Sequence, residues 1–319
     1  MIAIEEKSKI KKVIEDLKEK NIKFELLSEE ESLEYLENNN YKNVISYKNN
    51  FEVYYIRGKF VDKYINLDFA YLKDLSIIDY HLRKILFSIT IDIEYYLKVR
   101  ILRGLRKINN DGKELVNLFL EKDYYDLNYP KKIHKGIYKH LEKEKQIKYK
   151  IEVGKMIKDI EIDDFLDVIT FGELVYFYDF YTKKYDLKEE RKLIILLRGV
   201  ISLRNRVAHN KLLLNKLYLR NNKYLNNKTL KPYLRECGVG RELMYNKLSN
   251  IIITEITETL FIYDKIVLSE NIKYYTKKEI RKFFYNRIPY HKEYYKNNDL
   301  LKSIYKYFDK IIKTYYWLW

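Results

Sequence analysis

Residues 68–106 read as one unbroken helical block, and no other stretch restricts the fold as strongly. Ile78, Leu82, Ile85, Leu86, Ile89 and Ile93 recur at steps of three and four. At about 100° per residue they fall on one arc. Asp79, Arg83, Thr90 and Glu94 lie beside that arc, within about 60° of one another. This polar stripe is either a solvated flank or a line of partly buried groups pointing into a site. Only 9 Gly and 3 Pro punctuate the 319 residues. So few breakers among long periodic runs predict an all-α fold.

Other helices announce themselves by their starts. Residues 8–21 read as a short amphipathic helix. Ser28 with Glu31 forms a capping box for a helix through Leu36, and Thr170 with Glu173 forms another. Asp186 with Glu189 and Thr276 with Glu279 predict two more. Residues 242–270 read as one long helix, and the Asn-rich stretch 38–55 as loop and irregular structure. Residues 107–165 are Lys-rich with short helices; His134 and His140 there lack acidic partners at ligand spacing and are expected at the surface. Three segments are expected: an N-terminal helical element over 1–60, a helical domain over 61–270, and a basic aromatic extension over 271–319.

Charge is unevenly spread. The chain carries +16 overall, which favours polyanions, nucleic acid first and anionic membrane second. AT-rich coding, with its Lys, Asn, Ile and Tyr, would produce a global excess on its own. It does not account for the distribution. Residues 1–50 hold 9 basic against 11 acidic side chains, whereas 201–250 hold 11 against 2 and 271–319 hold 12 against 4. Cys237 is the only cysteine, which excludes an internal disulfide and fits a reducing cytosol. No signal peptide is visible, and no apolar run approaches the roughly 20 residues of a membrane span. A cytoplasmic protein without a membrane partner is expected. The sequence offers no metal constellation, Gly-rich phosphate loop or nucleophilic triad, so no metal or cofactor is expected.

The basic maximum coincides with the stretch LRGVISLRNRVAHNKLLLN. Leu193, Leu197, Val200 and Arg204 share one helical face, so Arg204 points where core residues point. A buried guanidinium needs a carboxylate or a phosphate; Glu94 is the candidate acid. His209 can move a proton near neutral pH. In an unbroken helix it lies about 140° from Arg204. Both reach one phosphate only if the helix bends or ends within Asn205–Ala208, or if two chains each contribute. The bland alternative is a capped helix end with His209 at its C-terminus.

RNRVAHN resembles the R-N-x-x-x-H signature of HEPN domains. The wider chain is similar to the Abi-like (AbiF/AbiD) abortive-infection proteins of bacteria. The similarity runs in order over residues 10–270: SEEESLEYLENNNYKNVISY, then the D-x-x-L-R…I-E helix with Asp79, Leu82, Arg83 and Glu94, then TFGELVYFY, then the signature. NKLLLN after His209 departs from the aromatic or second histidine expected there, and the tail beyond about 275 has no counterpart. The resemblance implies a HEPN-type helical bundle with added N- and C-terminal helices. It implies a homodimer that places two motifs across one cleft. It also implies metal-independent RNA cleavage by 2′-hydroxyl attack, leaving a 2′,3′-cyclic phosphate. His209 would be general acid or base, Arg204 would stabilise the phosphorane, and Asn205 would orient groups, with Asp79, Arg83 and Glu94 in support. Arg206, Lys211, Lys216 and Arg220 are the expected RNA contacts. A small structured RNA as partner, as in toxin–antitoxin systems, is implied as well. Three functions remain open on the sequence: a latent defence ribonuclease, a silent HEPN module that binds RNA as scaffold or antitoxin, and a helical interaction protein. Most of the 34 tyrosines are expected to be half-buried packing, with some beside Lys able to stack on unpaired bases.

Overall fold

A computed structural model describes residues 2–125, 136–137, 139–150, 157–221 and 228–316. His134 lies outside the described residues; His140 is exposed. The fold is predominantly helical, as expected, with two small two-stranded sheets. The chain divides into two compact units. One comprises residues 1–87, 205–254 and 274–319, the other 88–204 and 255–273.

The first unit opens with α1 (Ile2–Glu19), β1 (Ile22–Lys23), α2 (Glu29–Glu37) and α3 (Tyr41–Ser46). The Ser28–Glu31 capping box forms as predicted. Residues 38–55, expected to be irregular, instead hold α3, a 3-10 turn over Tyr47–Asn50 and the strand β2 (Val53–Ile56). β2 pairs antiparallel with β3 (Lys59–Tyr64). Arg57 and Gly58 join them, both with positive φ (49° and 78°), a two-residue hairpin turn that matches strand twist. β4 (Leu67–Asp68) pairs parallel with β1. The buried Asp68 carboxyl accepts from the Ala70 N–H at 2.9 Å and the Glu25 N–H at 2.9 Å, so it caps the start of α4 (Phe69–Lys107) and pins the α1–α2 connection together. That long helix is the one the periodicity predicts.

Later segments complete this unit: α10 (Leu230–Glu236), α11 (Arg241–Leu248), most of α13 (Glu270–Lys282) and α14 (Asp299–Tyr316). Buried Ile304, Tyr307, Ile311 and Ile312 line one face of α14, at the spacing of a surface helix. Asp74, 4% exposed, accepts from Arg287 at 2.7 Å and from the Tyr295 hydroxyl at 2.6 Å, tying the C-terminal segment to α4. The expected Thr276 cap does not form. Thr276 lies inside α13, whose start is held by Ser269 Oγ accepting from the Ile272 N–H.

The second unit contains the remainder of α4, α5 (Lys113–Tyr125), α6 (Lys143–Lys148), α7 (Ile162–Val168), α8 (Phe171–Lys184), most of α9 (Lys188–Ala208) and most of α12 (Ile251–Ile266). Phe119, Phe165 and Phe177 form an edge-to-face cluster with centroids 4.9–6.0 Å apart. Thr170 and Glu173 cap α8 as predicted. The Asp186–Glu189 box fails: Asp186 has φ +49°, one residue too early to cap a helix that starts at Lys188. The long helix expected over 242–270 is two, α11 and α12. Buried Asn250 interrupts them because its Oδ1 accepts from the Ile252 and Ile253 N–H groups and starts the second helix anew. From Glu255 to Tyr263 every side chain of α12 is buried, polar Glu255, Thr257, Glu258 and Thr259 among them. Within it, Glu255 accepts from the Ser202 hydroxyl at 2.6 Å.

No helix among the described residues is long and apolar enough to cross a membrane.

Candidate functional site

The apolar face of α9 is real: Leu193, Leu197, Val200 and Leu203 are buried. Its C-terminus is a Schellman motif. The Lys211 N–H donates to the Arg206 carbonyl at 3.0 Å, the Asn210 N–H donates to Val207 at 3.1 Å, and Asn210 takes φ +52°. His209 is therefore the C-cap residue, its own N–H donating to the Asn205 carbonyl at 3.1 Å. The helix is regular through Ala208, so no bend redirects either side chain. Arg204 and His209 project about 140° apart around the axis. On helix geometry their side chains therefore leave the axis in divergent directions. Arg204 is half-buried, while Asn205 and His209 are exposed.

The chain immediately after His209 is held in place by side chains of the first unit. Asp79, 0% exposed, is the centre of this arrangement. Its Oδ1 accepts from the backbone N–H groups of Leu213 (2.8 Å) and Leu214 (2.7 Å). Its Oδ2 accepts from Arg83 Nε at 2.8 Å, and Arg83 Nη1 donates to the Asn210 side-chain oxygen at 3.0 Å. Burial raises the Asp79 carboxyl above its ordinary value, against the opposing pull of the Leu214 N–H and Arg83. The Tyr47 hydroxyl also faces Asp79, and its pKa rises through burial first and the nearby carboxylate second. Buried Asn50 continues the clamp: its Nδ2 donates to the Leu214 carbonyl at 2.6 Å and its Oδ1 accepts from the Leu217 N–H at 3.0 Å. Asn250 Nδ2 donates to the carbonyls of Leu217 and Leu219. A non-repetitive segment must satisfy its backbone polar groups somewhere, and here a carboxylate and two carboxamides satisfy them.

Of the predicted supporting residues, Asp79 and Arg83 thus meet at the motif's exit. Asp79 and Thr90 are fully buried, so the polar stripe of α4 is not a solvated flank. Glu94 is half-buried. The predicted RNA contacts fall on the same stretch: Arg206 is half-buried, and Lys211, Lys216 and Arg220 are exposed. Residues 204–220 contain five basic side chains and no acid. Nearby, Lys247 is 3% exposed; burial and, second, the Arg220 charge lower its pKa. Tyr47, Asn50 and Asn250 were not legible as site residues. Asn50 sits in a run whose Asn content reads as loop, and only the fold shows its amide facing the motif.

The profile of the Abi-like protein family matches residues 34–215, more than half of the chain. The chain belongs to that family. The match ends just beyond Leu214, so it runs from the last turn of α2 through α9, the motif and the Asp79-bound turn. No curated protein and no solved structure matches the chain.

Proposed function

We propose that this chain is a ribonuclease of the abortive-infection type, working as a homodimer in which Arg204 and His209 of two copies serve one phosphodiester. The observation that carries the reading is the immobilised turn after His209. Asp79, Arg83 and Asn50 fix residues 210–217. His209 stands exposed at the helix end just before this turn, in a segment, 204–220, with five basic side chains and no acid. Rigid support of this kind is what a proton-transfer group requires. Family membership supports the abortive-infection role.

The chemistry follows from the side chains. His209 of one copy removes the proton of an RNA 2′-hydroxyl. The oxygen then forms a bond to the adjacent phosphorus, and the bond from phosphorus to the 5′-oxygen breaks. Water gives a proton to the leaving oxygen, and the His209 imidazolium returns its proton to solvent. The products are a 2′,3′-cyclic phosphate and a 5′-hydroxyl. Arg204 neutralises charge on the equatorial oxygens as it builds, Asn205 orients groups around the phosphate, and Lys211, Lys216 and Arg220 hold the flanking backbone. A second copy is required because one chain points Arg204 and His209 about 140° apart. Tyr80, Phe87, Ile91 and Tyr95 recur along one side of α4 and are 38–59% exposed, an apolar stripe suited to a self-complementary contact. A small structured RNA is a fitting regulatory partner for the basic segment.

The same 140° divergence favours one alternative, a module that binds RNA without cutting it. The deciding experiment compares wild type with His209→Ala for growth arrest and for RNA cleavage in EDTA. The ribonuclease reading expects cleavage in EDTA by wild type alone, with cyclic-phosphate ends. Equal behaviour of the two proteins, or cleavage abolished by chelation, removes it.

A further inference from the structure

The first unit contains a cavity of about 310 Å³ with no part in the chemistry above. That volume falls at the lower end of small-molecule sites, roughly 300–1,000 Å³. Phe51, Tyr71 and Tyr294 wall it with aromatic rings. Tyr71 and Tyr294 stack at 4.7 Å, His291 stacks on Tyr294 at 4.6 Å, and Phe51 tilts against Tyr71 at 6.2 Å. The polar lining is mixed. Glu52 and Glu293 supply carboxylates, Lys296 an ammonium, and Asn66 and Asn298 carboxamides. Both glutamates and the lysine are exposed, with one oxygen of Glu293 3.3 Å from His291 Nδ1 and its other oxygen left to an occupant.

This lining selects by elimination. Two carboxylates repel a phosphate, and Lys296 repels a cation. An apolar guest would use none of the three charges. The guest that satisfies both signs is neutral and planar, with adjacent N–H donors on one edge and acceptors on another. Guanine has that pattern: N1–H and N2–H₂ side by side suit one carboxylate, while O6 and N7 accept from lysine or an amide. Its ring offers the face that aromatic side chains stack on, worth about 1–3 kcal/mol per base.

We propose that this cavity is a guanine-binding site. Glu52 or Glu293 reads the donor edge, Lys296 the acceptor edge, and Phe51 and Tyr71 supply the aromatic wall for the ring, since Tyr71 and His291 already cover the faces of Tyr294. The guanine comes either from a free nucleoside or from an unpaired position in an RNA strand. The site is anchored near the motif's exit, since Asn298 in its wall donates to the Asn50 carbonyl at 2.9 Å and Asn50 holds Leu214 and Leu217. It is nonetheless independent of the cleavage reading, because binding here requires neither Arg204 nor His209.

Calorimetric titration of full-length protein in the His209→Ala background tests the site without interference from cleavage. The ligands are guanosine, adenosine, a U₇ oligonucleotide and the same oligonucleotide with a central G. A free-nucleoside source predicts guanosine binding at least tenfold tighter than adenosine. An RNA source predicts that the G-containing strand binds at least tenfold tighter than U₇ while guanosine alone is weak. In either case Glu52→Gln/Glu293→Gln removes the preference, and thermal melting verifies that these exposed substitutions leave the fold intact. The proposal is overturned if neither pair of ligands is discriminated, or if the double variant keeps the discrimination unchanged. Neither outcome bears on whether wild type cleaves RNA.

Discussion

Arg83 and Asn210 stand 127 positions apart, yet the guanidinium of the first donates to the side-chain oxygen of the second at 3.0 Å. Asn210 is the left-handed residue that ends α9, one position after His209. Arg83 is in turn oriented by Asp79 on the preceding turn of α4. The direction in which the chain leaves the motif is thus set by two side chains of another helix.

Asp79→Ala should therefore be among the most damaging substitutions in the protein. It leaves the Leu213 and Leu214 N–H groups and the Arg83 Nε without their acceptor. Orphaned buried donors and a broken buried pair cost about 3–5 kcal/mol. Urea denaturation measures the loss, and amide exchange at Leu213 and Leu214 should accelerate. A loss below about 1 kcal/mol would show that the turn holds itself without the carboxylate.

Gly199 lies in the middle of α9, where an Ala would ordinarily gain about 1 kcal/mol of helix propensity. Sterics decide otherwise. A Cβ there would run into the Glu258 carboxylate, 2.8 Å from its Cδ, and Glu258 is only 6% exposed and cannot swing into solvent. Gly199→Ala should lose about 1–3 kcal/mol, the range for overpacking. Gly199→Ala/Glu258→Ala should recover part of it. A stabilised single variant would mean that the carboxylate moves freely.

The long helix was legible because its apolar period is unbroken, and Asp79 and Arg83 were legible because they lie beside that period on the same helix. Tyr47, Asn50 and Asn250 were not, since each meets the motif through a contact that no local pattern encodes. Asn250 also explains a missed boundary. Apolar spacing continues from α11 into α12, so periodicity alone joins them, while the carboxamide that restarts the helix looks like any surface Asn. The hairpin at Arg57–Gly58 was missed for a related reason: its exposed strands carry little alternation, with Phe60 76% and Tyr55 62% exposed. The acids of α12 left a readable trace. Glu255 and Glu258 sit between apolar Ile251–Ile253 and Leu260–Tyr263 on one helix, where a charged group requires a partner inside the fold.

Acid should loosen the second unit through Glu190. Arg100 donates to its carboxylate at 2.5 Å, and the Tyr178 hydroxyl donates as well. Burial alone would raise its pKa, but these two partners outweigh burial and hold it below the ordinary value of 4.5. A depressed carboxyl stabilises the fold above its unfolded pKa, and that contribution fades as pH falls through the folded value. Glu190→Gln should be less stable than wild type at pH 7, and the gap should narrow at pH 3. Urea titrations at the two pH values decide the matter; a gap of constant size would assign the effect to packing.

Cys237 should be inert. It is 4% exposed, and burial, with the nearby Glu236 charge second, pushes its thiol pKa up to about 12. Thiol reactivity depends on the thiolate, so labelling by an aromatic disulfide reagent at pH 8 should be negligible in the native state. Full labelling should appear in denaturant. Rapid native labelling would show that the segment between α10 and α11 opens readily.

Whether two copies build one site can be read without a structure of the dimer. Arg204→Ala and His209→Ala should each abolish cleavage. Unfolded together and refolded as a mixture, they should regain activity if the arginine of one copy serves the histidine of the other. In a mixed dimer one composite site keeps both groups. Random pairing makes half the dimers mixed, so activity should return to about a quarter of wild type in a two-fold symmetric assembly. If both groups acted from the same chain, each variant would lack one of them in every site, and mixing would restore nothing. Failure of complementation in a demonstrated mixed dimer would therefore require α9 to bend between Arg204 and His209 when RNA binds, against the regular helix that runs through Ala208.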